Sequence, residues 1–316
     1  MGIKFIAWWV TGSNAILSDA LESIINVVAG AFGLYSLVVA AHPKDRNHPY
    51  GHGKVEFLSA GFEGALISLA GVLIIGKASY NLVYPQQLQE LELGLYLTAL
   101  AGGANYAIGW VLEKRGHKHH SLILVASGKH LQSDAWSSLG ILVGLLLVFL
   151  TGIKPLDNLV AILFGGFIMY SGYGLVRQSV AGIMDEADYN LIESLVNLLE
   201  KQRIPNWIDI HNLRVIKYGA HLHVDCHLTV PWYFNTRESH AEVKALEKLA
   251  AGFRDQPMEL FIHADPCEPN SCAICTKSDC PVRQQPFQKR ITWTLENVQK
   301  NANHATLKLA GEAGEW

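Results

Sequence analysis

Polar and metal-ligating side chains recur in this sequence within and between stretches that are otherwise apolar. Residues 47–56 read NHPYGHGKVE, so two histidines, a lysine and a glutamate share a short stretch with a proline and two glycines. Asp19, Glu22 and Asn26 interrupt one apolar run at spacings of three, four and seven, which places them along one helical face. His130 and Asp134 interrupt another run at i, i+4, again on one face. Charge at membrane depth is expensive, so such residues normally face a partner or a water-filled path. Glu22, Asn26, His130 and Asp134 together offer three oxygen donors and one imidazole, a four-coordinate set for a divalent ion such as Zn2+. The competing reading is interhelical hydrogen bonding that holds a bundle together. Two paired faces at ligand spacing favour the metal. Asp19 fits a supporting or packing role as well as a ligand, Glu63 a path-lining or paired group, and Lys77 a snorkelling side chain.

The second half carries its own ligand chemistry. In AHLHVDCHL, His221, His223, Asp225 and His227 alternate and fall on one face of a strand. Either that face is solvated or it binds a cation. CEPNSCAICTKSDC contains Cys267, Cys272, Cys275 and Cys280 in the pattern C-x4-C-x2-C-x4-C. In a reducing cytoplasm disulfides are disfavoured, and four thiolates this close can surround a Zn2+ ion. A relay shared with His263 and Asp265, or redox-active thiols, are the alternatives. Cys226 stands apart and reads as a small core residue.

The elements that must position these groups follow from composition. Of 316 residues, 50% are hydrophobic and 17% charged, against about 25% charged in a soluble domain. The deficit lies in residues 1–184, where long apolar runs recur. Spans are predicted at Asn14–Ala41, Phe57–Tyr84, Leu93–Leu112, Leu122–Leu150 and Leu156–Ile183. MGIKFIAWWVTG, ahead of them, is apolar over only about half a bilayer's worth of chain and is expected to be the stub of a first span. Lys44, Arg46 and Lys54 fall between the first two complete spans, and Lys114, Arg115 and Lys118 in Glu113–Ser121. The positive-inside rule puts both connections, and the C-terminal half, in the cytoplasm. A net charge of −3 without a basic stripe argues against nucleic acid as a partner. No nucleophile–base pair or phosphate loop is visible, so an enzyme is not expected.

From residue 185 the pattern is that of a soluble α+β domain. DYNLIESLVNLLEKQ has helical periodicity, HNLRVIKYG and AHLHVDCHLTV alternate and meet at Gly219, RESHAEVKALEKLAAGFRD is a second helix capped by Asn235 or Thr236, and MELFIHADP is a third strand. The order αββαβ fits a small sheet with helices on one face. The expected domains are 1–184 in the membrane, 185–266 in the cytoplasm, and a Cys-rich segment with a tail at 267–316, the last part of which offers no readable chemistry.

WWVTGSNAILSDALESIIN, HPYGHGKVE and KHLQSDAWSS, in this order and on these spans, resemble the cation diffusion facilitator family of divalent-metal/proton antiporters, especially its bacterial zinc and iron exporters. The resemblance runs from about residue 5 to residue 266. It implies a homodimer of six-span subunits in the bilayer, each with a cytoplasmic ferredoxin-like domain that binds metal and dimerises. It places a transport site on Glu22, Asn26, His130 and Asp134, a loop site on Asp45, His48 and His52, and a cytoplasmic site on His211, His227, His240, His263 and Asp265. It pairs Lys54 with Asp185 in a salt bridge at the dimer. One departure concerns the metal. Zinc exporters usually carry Asp or His where Glu22 stands and Asp where Asn26 stands, so this set keeps two formal charges instead of three. Zn2+ remains the first expectation, with Co2+, Fe2+ and Mn2+ beside it. The expected function is export of a divalent cation from the cytoplasm in exchange for protons, across a bacterial inner membrane. The alternative is a non-transporting, membrane-tethered metal sensor or regulatory partner of another transporter.

Overall fold

The structure is a computed structural model, and it describes residues 14–84, 92–153, 155–253 and 257–305; the side chains of residues 14–26, 92–98, 141, 145, 149 and 157 lie outside that description. The residues of MGIKFIAWWVTG lie outside it too. Contacts divide the chain into two units, Met1–Met184 and Asp185–Trp316.

The first unit is helical: α1 (Asn14–Ala40), α2 (Val55–Val83), α3 (Glu92–Lys118), α4 (Leu122–Thr151) and α5 (Pro155–Ile183). Among the described residues, Val55–Val83, Leu122–Val148 and Asn158–Ile183 are long and apolar enough to cross a membrane, and Val27–Ala40 is a shorter apolar stretch. Large apolar side chains face outward on these helices, with Leu73 63% and Leu163 73% exposed. Such a surface suits lipid and not water. The α2–α5 seam is made by small residues. A Cβ on Gly71 would stand 2.7 Å from the Gly165 carbonyl oxygen, and one on Gly64 2.9 Å from the Gly172 carbonyl oxygen. In lipid no hydrophobic force joins two helices, so close backbone approach of this kind supplies the packing.

One boundary differs from expectation. The basic stretch after Leu112 is not a loop, because α3 runs on to Lys118. Glu, Lys and Arg are strong helix formers, and His117 lies 3.8 Å from Glu113 one turn back. The helix stops where His120 takes φ 53° and the Ser121 N–H donates to the Gly116 carbonyl at 2.9 Å.

The second unit follows the αββαβ order. Helix α6 (Tyr189–Lys201) is capped by Asp188, whose carboxylate accepts from the Leu191 N–H, and it buries Leu191, Ile192, Leu195, Val196 and Leu199. Strands β1 (Asp209–Tyr218) and β2 (His221–Val230) form an antiparallel hairpin through Gly219 at φ 61°. Helix α7 (Thr236–Ala251) starts from an Asn235–Glu238 capping box and crosses over to β3 (Met258–Pro266), which pairs parallel to β2. The sheet order is β1-β2-β3. Leu222, Val224, Cys226, Leu228 and Val230 give one face of β2 to the core, so Cys226 is the core residue its position suggested. The tail packs onto the same core through Trp293, and through Val298 on the single turn α8 (Leu295–Val298). The Arg203 guanidinium lies 4.0 Å from the Trp293 ring centroid and donates to the carbonyls of Ile291, Ile208 and Trp207.

Gly71→Leu is expected to force α2 and α5 apart at a cost of about 1–3 kcal/mol. Thermal denaturation in detergent should show a lower midpoint for it. Gly76→Ala, at a position where a Cβ meets nothing within 4 Å, should leave the midpoint unchanged or slightly raised. Equal behaviour of the two variants would mean that the glycine seam does not hold the helices together.

Candidate metal centres

Strand register builds the site in the second unit. His211 on β1 stands directly opposite His227 on β2, and His227 directly opposite His263 on β3. Directly opposed side chains on one sheet face lie close enough to interact. The imidazole centroids are 5.0 Å apart for His211 and His227 and 4.8 Å apart for His227 and His263. Asp265, two residues on from His263, reaches the same face. Its carboxylate is 2.9 Å from His227 Nδ1, 3.1 Å from His263 Nε2 and 3.6 Å from His211 Nε2. One ligand atom each from His211, His227 and Asp265 falls within 4.8 Å of the others, a spacing that one cation can bridge. His240 does not join them. It lies on the exposed side of α7.

A β-bulge aims His211. Between the pairs His211–His227 and Arg214–Asp225, β1 carries two residues against one on β2. Asn212 takes φ 53° there, and its N–H donates to the Lys300 carbonyl at 2.8 Å. Leu213 then drops into the core while His211 keeps the site face. Beneath His211 sits Asp209, fully buried, 3.9 Å from His211 Nδ1. The other face of that carboxylate binds the tail: the His304 N–H donates to it at 2.9 Å, and His304 Nδ1 is 2.5 Å away. Burial holds the His211 imidazole below its ordinary 6.5, against the opposing pull of Asp209, and so keeps it neutral. Metal-ligating histidines are commonly backed by a carboxylate; here Asp209 stands behind the ring at 3.9 Å, beyond hydrogen-bond distance, and His211 Nδ1 has no hydrogen-bond partner among the described residues. Asp209 and His304 were not anticipated. Asp209 is two residues before His211 on an alternating strand, a readable signal. His304 carries no pattern that connects it with a strand so far upstream.

His223, expected on a solvated or binding face, is instead buried, with its ring 4.9 Å from that of Tyr218 and Nδ1 3.4 Å from Glu259. His221 and Asp225 stay exposed on the same face.

The loop ahead of α2 folds on Asp45. Its Oδ1 accepts from the N–H groups of Asn47 at 2.8 Å and His48 at 2.6 Å, and Gly51 turns the chain at φ 92°. These local bonds bring His48 Nδ1 to 3.2 Å and His52 Nε2 to 3.3 Å of the carboxylate, with the two rings 4.3 Å apart. Asp45, His48 and His52 thus form the second gathered set. The His48 N–H holds the Asp45 carboxyl below its ordinary 3.8.

On α4, His130 and Asp134 lie one turn apart and half-buried. Glu22 and Asn26 belong to α1, but their side chains, with that of Asp19, are outside the described residues. Glu63 is buried on α2, accepts from Ser127 of α4 at 2.8 Å, and lies where a Cβ on Gly33 of α1 would stand 2.9 Å from Glu63 Oε1. It therefore sits where three helices meet. Lys54 immediately precedes α2, and Asp185, at φ 56°, follows α5; they belong to different units. Among the described residues Cys267, Cys272, Cys275 and Cys280 form no disulfide.

Comparison with known proteins agrees with this layout. The family model for the cation efflux transmembrane domain matches residues 1–184, and that for the cation efflux protein cytoplasmic domain matches residues 185–267. An uncharacterised transporter of Synechocystis is 33% identical over 272 residues, covering 85% of this chain and 86% of the relative. The cation-efflux pump FieF of Yersinia pestis (strain Pestoides F) is 27% identical over 270 residues, covering 84% of this chain and 87% of the pump. With both halves matched, and imidazole–carboxylate sets in both units, the chain belongs to the cation efflux family of membrane transporters.

Proposed function

We propose that the chain is a secondary transporter that exports a divalent cation, Zn2+ foremost, from the cytoplasm in exchange for protons, as a homodimer in a bacterial inner membrane. The observation that carries this reading is the gathering of imidazole and carboxylate donors within 4.8 Å in both units. Nitrogen with carboxylate oxygen suits Zn2+, and also Co2+, Fe2+ or Mn2+. Neither set contains a thiolate or thioether, the ligands that would select Cu(I). The match of residues 185–267 to the ZT-dimer family supports the dimer.

In this reading Asp45, His48 and His52 collect the cation and hand it to Glu22, Asn26, His130 and Asp134. Glu63 is a station on that route. Ser127, its partner, is one turn from His130 along α4, about 4.5 Å of rise. Gly33, beside it, is two turns from Asn26 along α1, about 10 Å. On the outer side, proton uptake by His130 would withdraw a ligand and release the cation, because a protonated imidazole cannot coordinate. The cytoplasmic set on His211, His227, His263 and Asp265 would bind the same cation and couple its level to the dimer, with His240 left for a contact outside this set and Lys54–Asp185 as the dimer's salt bridge.

Flux into sealed proteoliposomes under a pH gradient tests the reading. Zn2+ flux should saturate, depend on the gradient and vanish in His130→Ala and Asp134→Ala. Undiminished flux in both variants would overturn the site. Absence of flux for Zn2+, Co2+, Fe2+ and Mn2+ alike, with tight Zn2+ binding retained at His227 and Asp265, would favour the sensor or regulatory role.

The Asp209 carboxylate is expected to act through His211. Asp209→Asn should weaken Zn2+ binding at the His211–His227–Asp265 set about 10–100-fold, measured by competition with a zinc chelator while flux is recorded in parallel. A change below twofold would remove Asp209 from that role.

His211 also makes the second unit pH-sensitive. Its folded pKa lies below the ordinary 6.5, so the unfolded chain takes up the proton first. Its contribution is complete above that value and is lost as the pH falls below it. Urea unfolding of the metal-free protein should show a lower midpoint at about pH 5.5 than at about pH 7.5, with a smaller difference in His211→Gln. An unchanged difference would assign the pH dependence to other groups.

A further inference from the structure

We propose that Cys267, Cys272, Cys275 and Cys280 form a tetrathiolate centre for a thiophilic metal, separate from the imidazole–carboxylate sets. The proposal does not rest on transport. Except for Cys267, these residues lie beyond the matched family domains, which end at residue 267.

The fold gathers the four cysteines. Cys267 leaves β3 with its N–H on the Val230 carbonyl at 2.8 Å. Cys272 sits in the 3-10 turn Pro269–Ala273, closed at its start by Glu268 and Ser271. Cys275 is buried in a small cluster with Ile208, Ile274 and Ala305, against which Cys267 also packs. Cys280 returns to the same place, because its sulfur and that of Cys267 both act on the Tyr233 hydroxyl. Among the described residues only the two histidine–aspartate sets bring three ligand atoms within 4.8 Å. The sulfurs therefore stand wider than the roughly 3.8 Å that a single tetrahedral ion with 2.3 Å bonds requires. Either the loop tightens around one Zn2+, or the thiolates span a larger iron–sulfur cluster, for which C-x4-C-x2-C is a known ligand spacing.

Two independent features point to an anionic occupant. The Arg283 guanidinium donates to the carbonyls of Cys272 at 2.9 Å, Cys275 at 3.1 Å and Lys277 at 2.6 Å. Among the described residues no carboxylate lies within ion-pair distance of it. Four thiolates around a divalent ion carry two net negative charges, and a half-buried cation held under their loop offsets one of them. Buried Asn270 Oδ1, in the turn that carries Cys272, also has no hydrogen-bond partner among the described residues. A buried polar atom left unpaired calls for an explanation, and the Tyr233 hydroxyl beside Cys280 is placed to donate to a metal-bound thiolate. Binding would expel four thiol protons and leave every sulfur bonded to metal.

The centre would also brace the neighbouring site. Cys267 follows Asp265 by two residues, and Ala305, in the Cys275 cluster, follows His304. Metal there would pin both the end of β3 and the tail residue that holds Asp209.

The test uses the full chain, purified under reducing conditions in detergent and dialysed. Metal and acid-labile sulfide are measured in the wild type and in Cys272→Ser/Cys275→Ser. The expected result is loss of one metal centre per chain from the variant. Zinc without sulfide identifies a mononuclear site. Iron with sulfide and visible absorption identifies a cluster. Identical metal content in the two proteins overturns the proposal. In case the variant misfolds, thiol alkylation of the wild type is compared with and without a strong chelator. At least a tenfold faster reaction of the four thiols after chelation supports the centre. Equal rates, or disulfides among these cysteines by mass spectrometry, overturn it.

Discussion

A metal-ligating imidazole must be neutral, and it must be aimed. In the second unit both conditions depend on the register of one three-stranded sheet. His227 on the central strand is opposed by His211 on one side and His263 on the other, so a shift of one residue in either pairing would send one histidine into the core and dissolve the row. Register is protected because Leu222, Val224, Cys226 and Leu228 fill the opposite face of β2. Burial of those side chains is the dominant favourable term of folding, so the same alternation that stabilises the domain fixes the histidine row. The bulge at Asn212 and the Asp209–His304 contact refine the aim without altering the row.

The membrane unit solves a different problem. Helices in lipid gain little from hydrophobicity against each other, so Gly64 and Gly71 let α2 lie against α5 backbone to backbone. A tight, nearly incompressible seam of this kind suits helices that move as a body. The α1–α2–α4 contact contains a buried Glu63 with only Ser127 as a described hydrogen-bond partner. A buried carboxyl in that position is expensive as mere glue, and under the proposed function its second oxygen would serve a passing cation or proton.

Much of this was legible in the sequence, and the limits follow from distance along the chain. The loop set came from the family resemblance, and its geometry is local: Asp45 accepts from the N–H groups of Asn47 and His48, and Gly51 turns the chain. The αββαβ order followed from periodicity, and of the two candidate caps, Asn235 and Thr236, the structure uses Asn235 with Glu238 in a capping box. The cytoplasmic row was reachable only through the family resemblance, since its register joins residues of three strands. His304 escaped because nothing local marks a tail histidine as the partner of a buried aspartate on β1. The extension of α3 to Lys118 escaped because a change from apolar to charged text marks the edge of the membrane and not the end of a helix. His223 shows the opposite error: a polar residue on a polar-looking face is buried, because Tyr218 covers its ring and Glu259 meets its nitrogen.

The donor sets themselves carry the last step. An exporter must bind its cation firmly enough to take it from the cytoplasm and weakly enough to let it go, and charge count is the simplest control of that balance. The proposed transport set holds two carboxylates, an amide and an imidazole, so a divalent cation is neutralised but not overcompensated. Each proton delivered to that set removes both a ligand and the balance of charge. Under the proposed function the cytoplasmic set would need no release step. Its His211 imidazole is kept below its ordinary pKa by burial, with the Asp209 carboxylate 3.9 Å from its Nδ1. Under the proposed function the two sets divide the work by chemistry: one would exchange a cation for protons, and the other would hold it.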